Sequence, residues 1–176
     1  MHSFKVVRVL CFTFLMMMVC CSCFAASLGK AVTIVRYTQQ NVMPDMEDSW
    51  YEDVANEVNT KLSKYGVQAE SSKATWETYA KGHLHEKQDR NEASKNWQNV
   101  LASKFDSKIN VFVDDYSTNL DGTSNVSLEI VLASSDDSKV ISHGMFHKKN
   151  MDKSRPEALS YAIDEVVKGF EKTLTK

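Results

Sequence analysis

KINVFVDDY, residues 108–116, is the most strand-like stretch of the chain. Ile109, Val111 and Val113 alternate on one face and Phe112 lies on the other, so both faces are expected to contact packed neighbours. The stretch therefore predicts a central strand. Ligands of open α/β sheets bind beyond the carboxyl ends of the strands, which makes the acidic pair that follows Val113 a candidate binding position.

The residues before this strand predict two units in which a helix connects two strands. KAVTIVRY, residues 30–37, predicts an interior strand, and a capping box of Ser49 and Glu52 begins a helix that ends at Tyr65 before Gly66. A short strand follows at 67–71. The segment 72–105 has an interrupted helical pattern. Its predicted apolar positions are Trp76, Tyr79 and Ala80 on a first helix, then Trp97, Val100, Leu101 and Phe105 on a second.

The residues after Tyr116 predict an antiparallel hairpin and a closing helix. Alternating apolar residues over 126–132 and a returning strand over 139–147 flank the turn SSDDS. The last helix begins near Ser154, with Pro156 and Glu157 in its first turn. Its predicted buried residues are Leu159, Ala162, Ile163, Val166, Phe170 and Leu174.

These elements predict an α/β fold, a three-layer sandwich with a mixed sheet and the order β-α-β-α-β-β-β-α. The crossover rule places the first strand beside the third, with the antiparallel hairpin beyond it. We expect residues 26–176 to form one domain.

The first 25 residues have the three-part layout of a secretory signal peptide. Lys5 and Arg8 precede an apolar run over 9–21 and small residues near Ala25. The run is short for a helix that crosses a ~30 Å hydrocarbon core. All 4 cysteines lie in this leader. Cleavage after Ala25 is one prediction, and lipid attachment at Cys23 is the alternative. Both predict a periplasmic or secreted protein, attached to a membrane only through the leader or a lipid anchor.

Charge gives no indication of nucleic-acid binding. The chain carries 21 Lys and Arg against 23 Asp and Glu, a net charge of −2. Removing the leader takes away Lys5 and Arg8 and leaves a charge of about −4, so no electrostatic attraction to nucleic acid is expected.

The order of elements after a leader resembles the N-terminal domain of the periplasmic TolB protein. It is also similar to domains of the curli-secretion lipoprotein and of lipoproteins that activate penicillin-binding proteins. The likeness is carried by the strand 30–37, the helix that ends at Tyr65-Gly66, NVLASKFDSKINVFV at 99–113 and LEIVLASSDDSKVISHG at 128–144. The resemblance implies a non-enzymatic envelope protein that binds other proteins and supplies no catalytic residue.

Four residues are the candidate ligand-binding set. Asp114 and Asp115 end the central strand, and Arg36 and Tyr37 end the first. The carboxylates have the oxygen ligands that Mg²⁺ and Ca²⁺ prefer. Solvation of a strand end is the favoured explanation, because no phosphate loop or glycine-rich turn accompanies the pair. No cofactor is predicted.

The histidines give a weaker indication of a metal site. His83, His85 and Glu86 are close in sequence, and His143 and His147 would join them only through the fold. Zinc needs three or four converging ligands, so a polar turn is the expected structure and no metal is predicted. Asn125 begins a glycosylation sequon.

No serine lies in a nucleophile motif, and the chain is not predicted to be an enzyme. The sequence predicts an exported accessory protein of the bacterial envelope that binds envelope proteins through its acidic hairpin turn and long polar loops. The alternative is an extracytoplasmic domain that binds a small ligand or a divalent cation with the four residues above.

Overall fold

A computed structural model describes residues 28–38, 48–83 and 89–175 of the chain. Its elements, in chain order, are β1 (Lys30–Tyr37), α1 (Asp48–Ser63), β2 (Gln68–Ser71), α2 (Lys73–His83), α3 (Arg90–Lys104), β3 (Ser107–Thr118), β4 (Ser124–Ser134), β5 (Val140–Met151), α4 (Arg155–Gly169) and α5 (Glu171–Leu174). The α/β class and the mixed sheet are confirmed. The second crossover contains two helices, as the interrupted pattern over 72–105 indicates, whereas the predicted element order has a single helix there.

The strands form one sheet in the order β2-β1-β3-β4-β5, with β3 in the middle. β1 runs parallel to both β2 and β3, while β4 and β5 are antiparallel additions. The predicted position of the first strand beside the third is confirmed. The central position of KINVFVDDY is confirmed as well.

Helices cover both faces of the sheet. On one face α1 and α4 bury a core with β3 and β4, in which Ile109, Val111 and Val113 are fully buried. On the other face α3 packs Leu101 and Phe105 onto Val32 and Ile34 of β1. Every residue predicted for the apolar stripe of the last helix is buried. Alternate side chains of β1 therefore contact different helices.

The helix ends follow the predicted chemistry with one shift. Ser154 and Glu157 form the capping box of α4, with Pro156 in the first turn. Gly66 has a φ of +78°, the left-handed conformation that ends α1. α1 begins at Asp48, one residue before the predicted cap, and Glu52 pairs with Lys73 at 2.6 Å. No helix among the described residues is long and apolar enough to cross a membrane.

Candidate functional site

The carboxyl ends of β1 and β3 lie side by side. Tyr37 is in register with Val113, and the backbone N–H of Thr38 donates a hydrogen bond to the Val113 carbonyl oxygen at 3.0 Å. The four residues predicted as a ligand-binding set therefore share one edge of the sheet. Their side chains, however, have different partners.

The two carboxylates are each bound by a hydroxyl group of the protein. The register of β3 with β4 shifts between Val113 and Asp115, which leaves Asp114 as the extra residue of a bulge. Thr38 Oγ1 donates a hydrogen bond to Asp114 Oδ1. Ser117 Oγ donates one to Asp115 Oδ1 at 2.7 Å. Each bond uses one of the two oxygens of its carboxylate, Oδ1, and joins that carboxylate to the protein.

Arg36 and Tyr37 lie on opposite faces of β1. The guanidinium of Arg36 is 5.7 Å from the centre of the Phe112 ring, while Tyr37 packs against the core covered by α1 and α4. Burial raises the pKa of Tyr37, and the negative charge of Asp115 raises that pKa further. The structure thus brings Tyr37 near Asp115 and places Arg36 on the other face.

The histidines do not form a metal centre within the described part of the chain. His143 Nε2 is 2.9 Å from Glu129 Oε1 on the outer strands. No group of three or more His, Cys, Asp or Glu side chains among the described residues is placed to hold a metal ion. His85 and Glu86 of the predicted cluster lie outside the described residues.

An aromatic cluster fills the space beside Tyr37. The Trp50 ring lies 6.3 Å from Tyr37, 5.0 Å from Tyr51 and 5.5 Å from Tyr116, centre to centre. The Arg155 guanidinium lies 5.1 Å from the centre of the Tyr116 ring. Contacts at these spacings hold the first turns of α1 and α4 against the carboxyl end of the sheet.

A cleft of about 490 Å³ opens next to this cluster, between β1, α1 and α2. β2 is a short edge strand and α2 begins two residues after it, so no described helix or strand covers the gap. The cleft is lined by Thr33, Val35, Tyr51, Glu52, Ala55, Ser71, Ser72, Lys73, Trp76 and Glu77. The cleft thus lies at the carboxyl ends of two parallel strands, one strand away from the predicted acidic position.

The walls of the cleft include two exposed aromatic side chains. Trp76 is 49% exposed and Tyr51 is 37% exposed. The Trp76 ring is held from behind by Trp97, at 5.2 Å, and by Tyr79, at 5.8 Å. An apolar wall that is both rigid and accessible is suited to receive an apolar group from another molecule.

An ion pair crosses the mouth of this cleft and divides it from a second groove. Lys73 Nζ lies 2.6 Å from Glu52 Oε2. Both residues also line a groove of about 570 Å³ that runs along the side of β2. Most of the residues that line this groove are of polar types: Glu52, Asn56, Asn59, Thr60, Ala69, Glu70, Ser71, Lys73 and Ala74. Aromatic and polar surfaces therefore adjoin each other along α1.

The apolar pattern of the sequence does not predict this cleft. The pattern predicts Trp76 on the buried side of its helix, whereas the buried residues of α2 are Thr75 and Tyr79. These two are four residues apart and define the buried side of α2, and Trp76 packs against Tyr79 at the margin of that side. Thr75 lies four residues before Tyr79 and therefore on the same helix face. A prediction that considers only apolar residues overlooks this position, because threonine is polar.

Two comparisons with known proteins, one with family models and one with curated proteins, found no match. Solved structures of similar fold were found. A PelC dodecamer from Paraburkholderia phytofirmans has a TM-score of 0.50 at 10% identity over 84% of this chain and 88% of that one. A lipoprotein from Neisseria meningitidis has a TM-score of 0.50 at 15% identity over 81% and 96%. At these identities the likeness establishes a shared fold.

Proposed function

We propose that this chain is an exported accessory protein of the bacterial cell envelope that acts by binding other proteins. The observation that carries the proposal is the cleft walled by the exposed Tyr51 and Trp76. The leader supports the location, since residues 1–25 have the layout of a secretory signal. The similar solved structures support it too, because one is named as a lipoprotein and another as a dodecamer.

The cleft has the composition of a protein-binding hot spot. Trp and Tyr are the residues that most often contribute large binding energies at protein interfaces, where they sit among polar rims. Here Glu52, Lys73 and Glu77 supply such a rim around the aromatic walls. A volume of about 490 Å³ accommodates one or two apolar side chains of a partner.

Lipid attachment would orient this cleft away from the membrane. Leu28 is buried at the start of β1, at the end of the sheet opposite to the cleft. An acylated Cys23 would be joined to Leu28 by a linker that spans at most about 18 Å. The amino-terminal ends of β1 and β3 would then face the lipid, and Trp76 would point toward partners.

The TolB-like resemblance leads to the same proposal by a separate route. It implies protein binding without catalysis, and it rests on the order of elements. The strand order adds to this support, since β1 and β3 pair in parallel and the hairpin extends the sheet.

The proposal is tested by quantitative affinity purification of the full chain, with its leader, from its native cells. Trp76→Ala should lose bound partners by at least about tenfold, as expected for a hot spot. Glu77→Arg reverses a charge at the cleft without removing an aromatic contact, and it should also lose bound partners. Tyr161→Ala, which removes a 39% exposed tyrosine of α4, is the control and should keep them. Partners retained equally by all variants would contradict a role for the cleft.

A further inference from the structure

One corner of this acidic chain is basic. Residues 147–155, HKKNMDKSR, contain Lys148, Lys149, Lys153 and Arg155 with Asp152 as the one acid, whereas the whole chain has a net charge of −2. These residues form the end of β5 and the turn into α4. The positive charge is therefore concentrated at one end of the outermost strand.

The four cations of this corner form no salt bridge within the described part of the chain, although Lys153 lies close enough to Glu157 to lower the pKa of that carboxyl. Lys30, Lys61, Lys73, Lys108 and Lys168 each form a salt bridge with a carboxylate. None of the four corner cations forms a salt bridge with another described residue. Lys153 and Arg155 lie over the rings of Tyr161 and Tyr116, at 5.6 and 5.1 Å. Their charges thus remain available to an anionic partner.

The strand that carries this charge lies at the edge of the described sheet. β5 pairs with β4 on one side, and no described strand pairs with its other side. Its register with β4 is continuous from Ser142 to Lys148, so this part of the edge is regular. Alternate N–H and C=O groups of such an edge point outward, where they can pair with an extended chain.

Exposed apolar side chains accompany the basic ones. Met145 is 67% exposed and Val140 is 60% exposed on β5. Leu120 is fully exposed at the tip of the turn between β3 and β4. That turn is fixed beside the end of β5, because Asn119 Nδ2 donates a hydrogen bond to Asn150 Oδ1 at 3.0 Å. Lysines alone would protect an edge from aggregation, but protection does not explain these exposed apolar groups.

We infer that β5 is a docking edge for an extended acidic segment of a partner protein. The backbone of the segment would pair with residues 142–148, with its carboxylates on the face of Lys148 and its apolar side chains on the opposite face, which carries Met145. A second copy of β5 fits less well, since it would add positive charge to an edge that already has an excess. The cleft lined by Trp76 lies near β2, at the opposite edge of the sheet from β5, so the two surfaces can be tested separately.

The test is fluorescence anisotropy with a labelled decapeptide of alternating Glu and Val added to the leaderless chain. A Lys-Val decapeptide controls for charge, and a Glu-Pro decapeptide keeps the charge but cannot pair as a strand. We expect the Glu-Val peptide alone to bind. Lys148→Glu with Lys149→Glu should weaken binding by at least about tenfold. Lys104→Glu with Lys172→Glu, which makes the same change of charge on exposed residues elsewhere, should leave the affinity unchanged.

A second measurement tests strand pairing in the wild-type protein and so does not depend on any variant. Amide hydrogen exchange over residues 142–148 should slow when the Glu-Val peptide binds. Equal binding of the Glu-Pro peptide would overturn strand addition. Binding to phosphatidylserine vesicles without binding to the peptide would overturn the proposal in favour of a membrane surface. Binding to neither would show that the lysines only protect the edge.

Discussion

Lys108 Nζ and Asp137 Oδ2 lie 2.5 Å apart, and this ion pair connects the central strand to the turn between β4 and β5. The Lys108 side chain is 2% exposed, and its second partner is Gln98 Oε1 of α3 at 2.9 Å. Asp137 has a φ of +62°. The strand, the helix and the turn are therefore joined at one buried ammonium group.

Removing the carboxylate should destabilise the protein more than removing the ammonium. Asp137→Asn leaves a buried cation with a weaker acceptor, and we expect the free energy of unfolding to fall by about 1–3 kcal/mol, moderated because Asp137 is itself 58% exposed. Lys108→Met keeps the volume and removes the buried charge, so its effect should be near zero. Urea unfolding of each variant measures both quantities.

The double variant is the control for this pair. Once Lys108 is Met, the Asp137→Asn change should cost little, because no buried charge is left without a partner. Strictly additive losses in the double variant would contradict the coupling.

The core and the strand order follow from local patterns in the sequence. Ile109, Val111 and Val113 recur at every second position, with Asn110 and Phe112 between them, so a period of two places all three on one face of the sheet. The residues from Leu159 to Leu174 recur at three and four positions, which fixes the buried side of α4. Short connections and the crossover rule then order the strands.

The burial of Lys108 and the exposure of Trp76 could not be obtained in the same way. Lys108 is buried because Gln98 and Asp137, 10 and 29 residues away, converge on it. Trp76 is exposed where β2 ends the described sheet, since no described strand lies beyond it. The burial of Lys108 and the exposure of Trp76 both depend on residues far away in the sequence. The periodicity of apolar residues within one element cannot predict such contacts.

Gly144 should be intolerant of a side chain. A Cβ at this position would lie 2.8 Å from Val166 Cγ1 and 3.0 Å from Phe170 Cε1, where α4 crosses β5 closely. We expect Gly144→Ala to lower the free energy of unfolding by about 1–3 kcal/mol through overpacking. Gly169→Ala, with no atom within 4 Å of the added Cβ, is the matched control. If thermal unfolding showed that Gly144→Ala is as stable as the wild type, the close approach of α4 to β5 would be refuted.

The turn between β4 and β5 should keep its structure in moderately acid solution. The Ser134 hydroxyl, the Ser138 N–H and the Ser138 hydroxyl donate hydrogen bonds to Asp136 and lower its pKa from 3.8 to about 2. A depressed carboxyl pKa stabilises the fold above pH ~4, and that contribution is lost as the pH falls through about 2.

An NMR titration of the Asp136 side chain measures this pKa directly. Ser134→Ala removes the largest contribution and should move the pKa of Asp136 toward 3.8. A wild-type pKa already at 3.8 would show that these hydrogen bonds do not form in solution.

Divalent cations should not stabilise the acidic end of β3. Asp114 and Asp115 accept hydrogen bonds from Thr38 and Ser117, so we expect no rise in Tm with millimolar Ca²⁺ or Mg²⁺. Asp114→Asn with Asp115→Asn is the comparison. A cation-dependent rise in the wild type that the double variant lacks would instead support the alternative function.

Site-specific photocrosslinking in native cells tests the proposed binding at the cleft most directly. A photoreactive phenylalanine analogue would replace Glu77, which lines the cleft, and in a second strain Lys172, which is exposed on α5. We expect discrete crosslinked partners from position 77, absent from position 172 and reduced when Tyr51→Ala is added. The same products from both positions, or none from position 77, would contradict a protein-binding cleft.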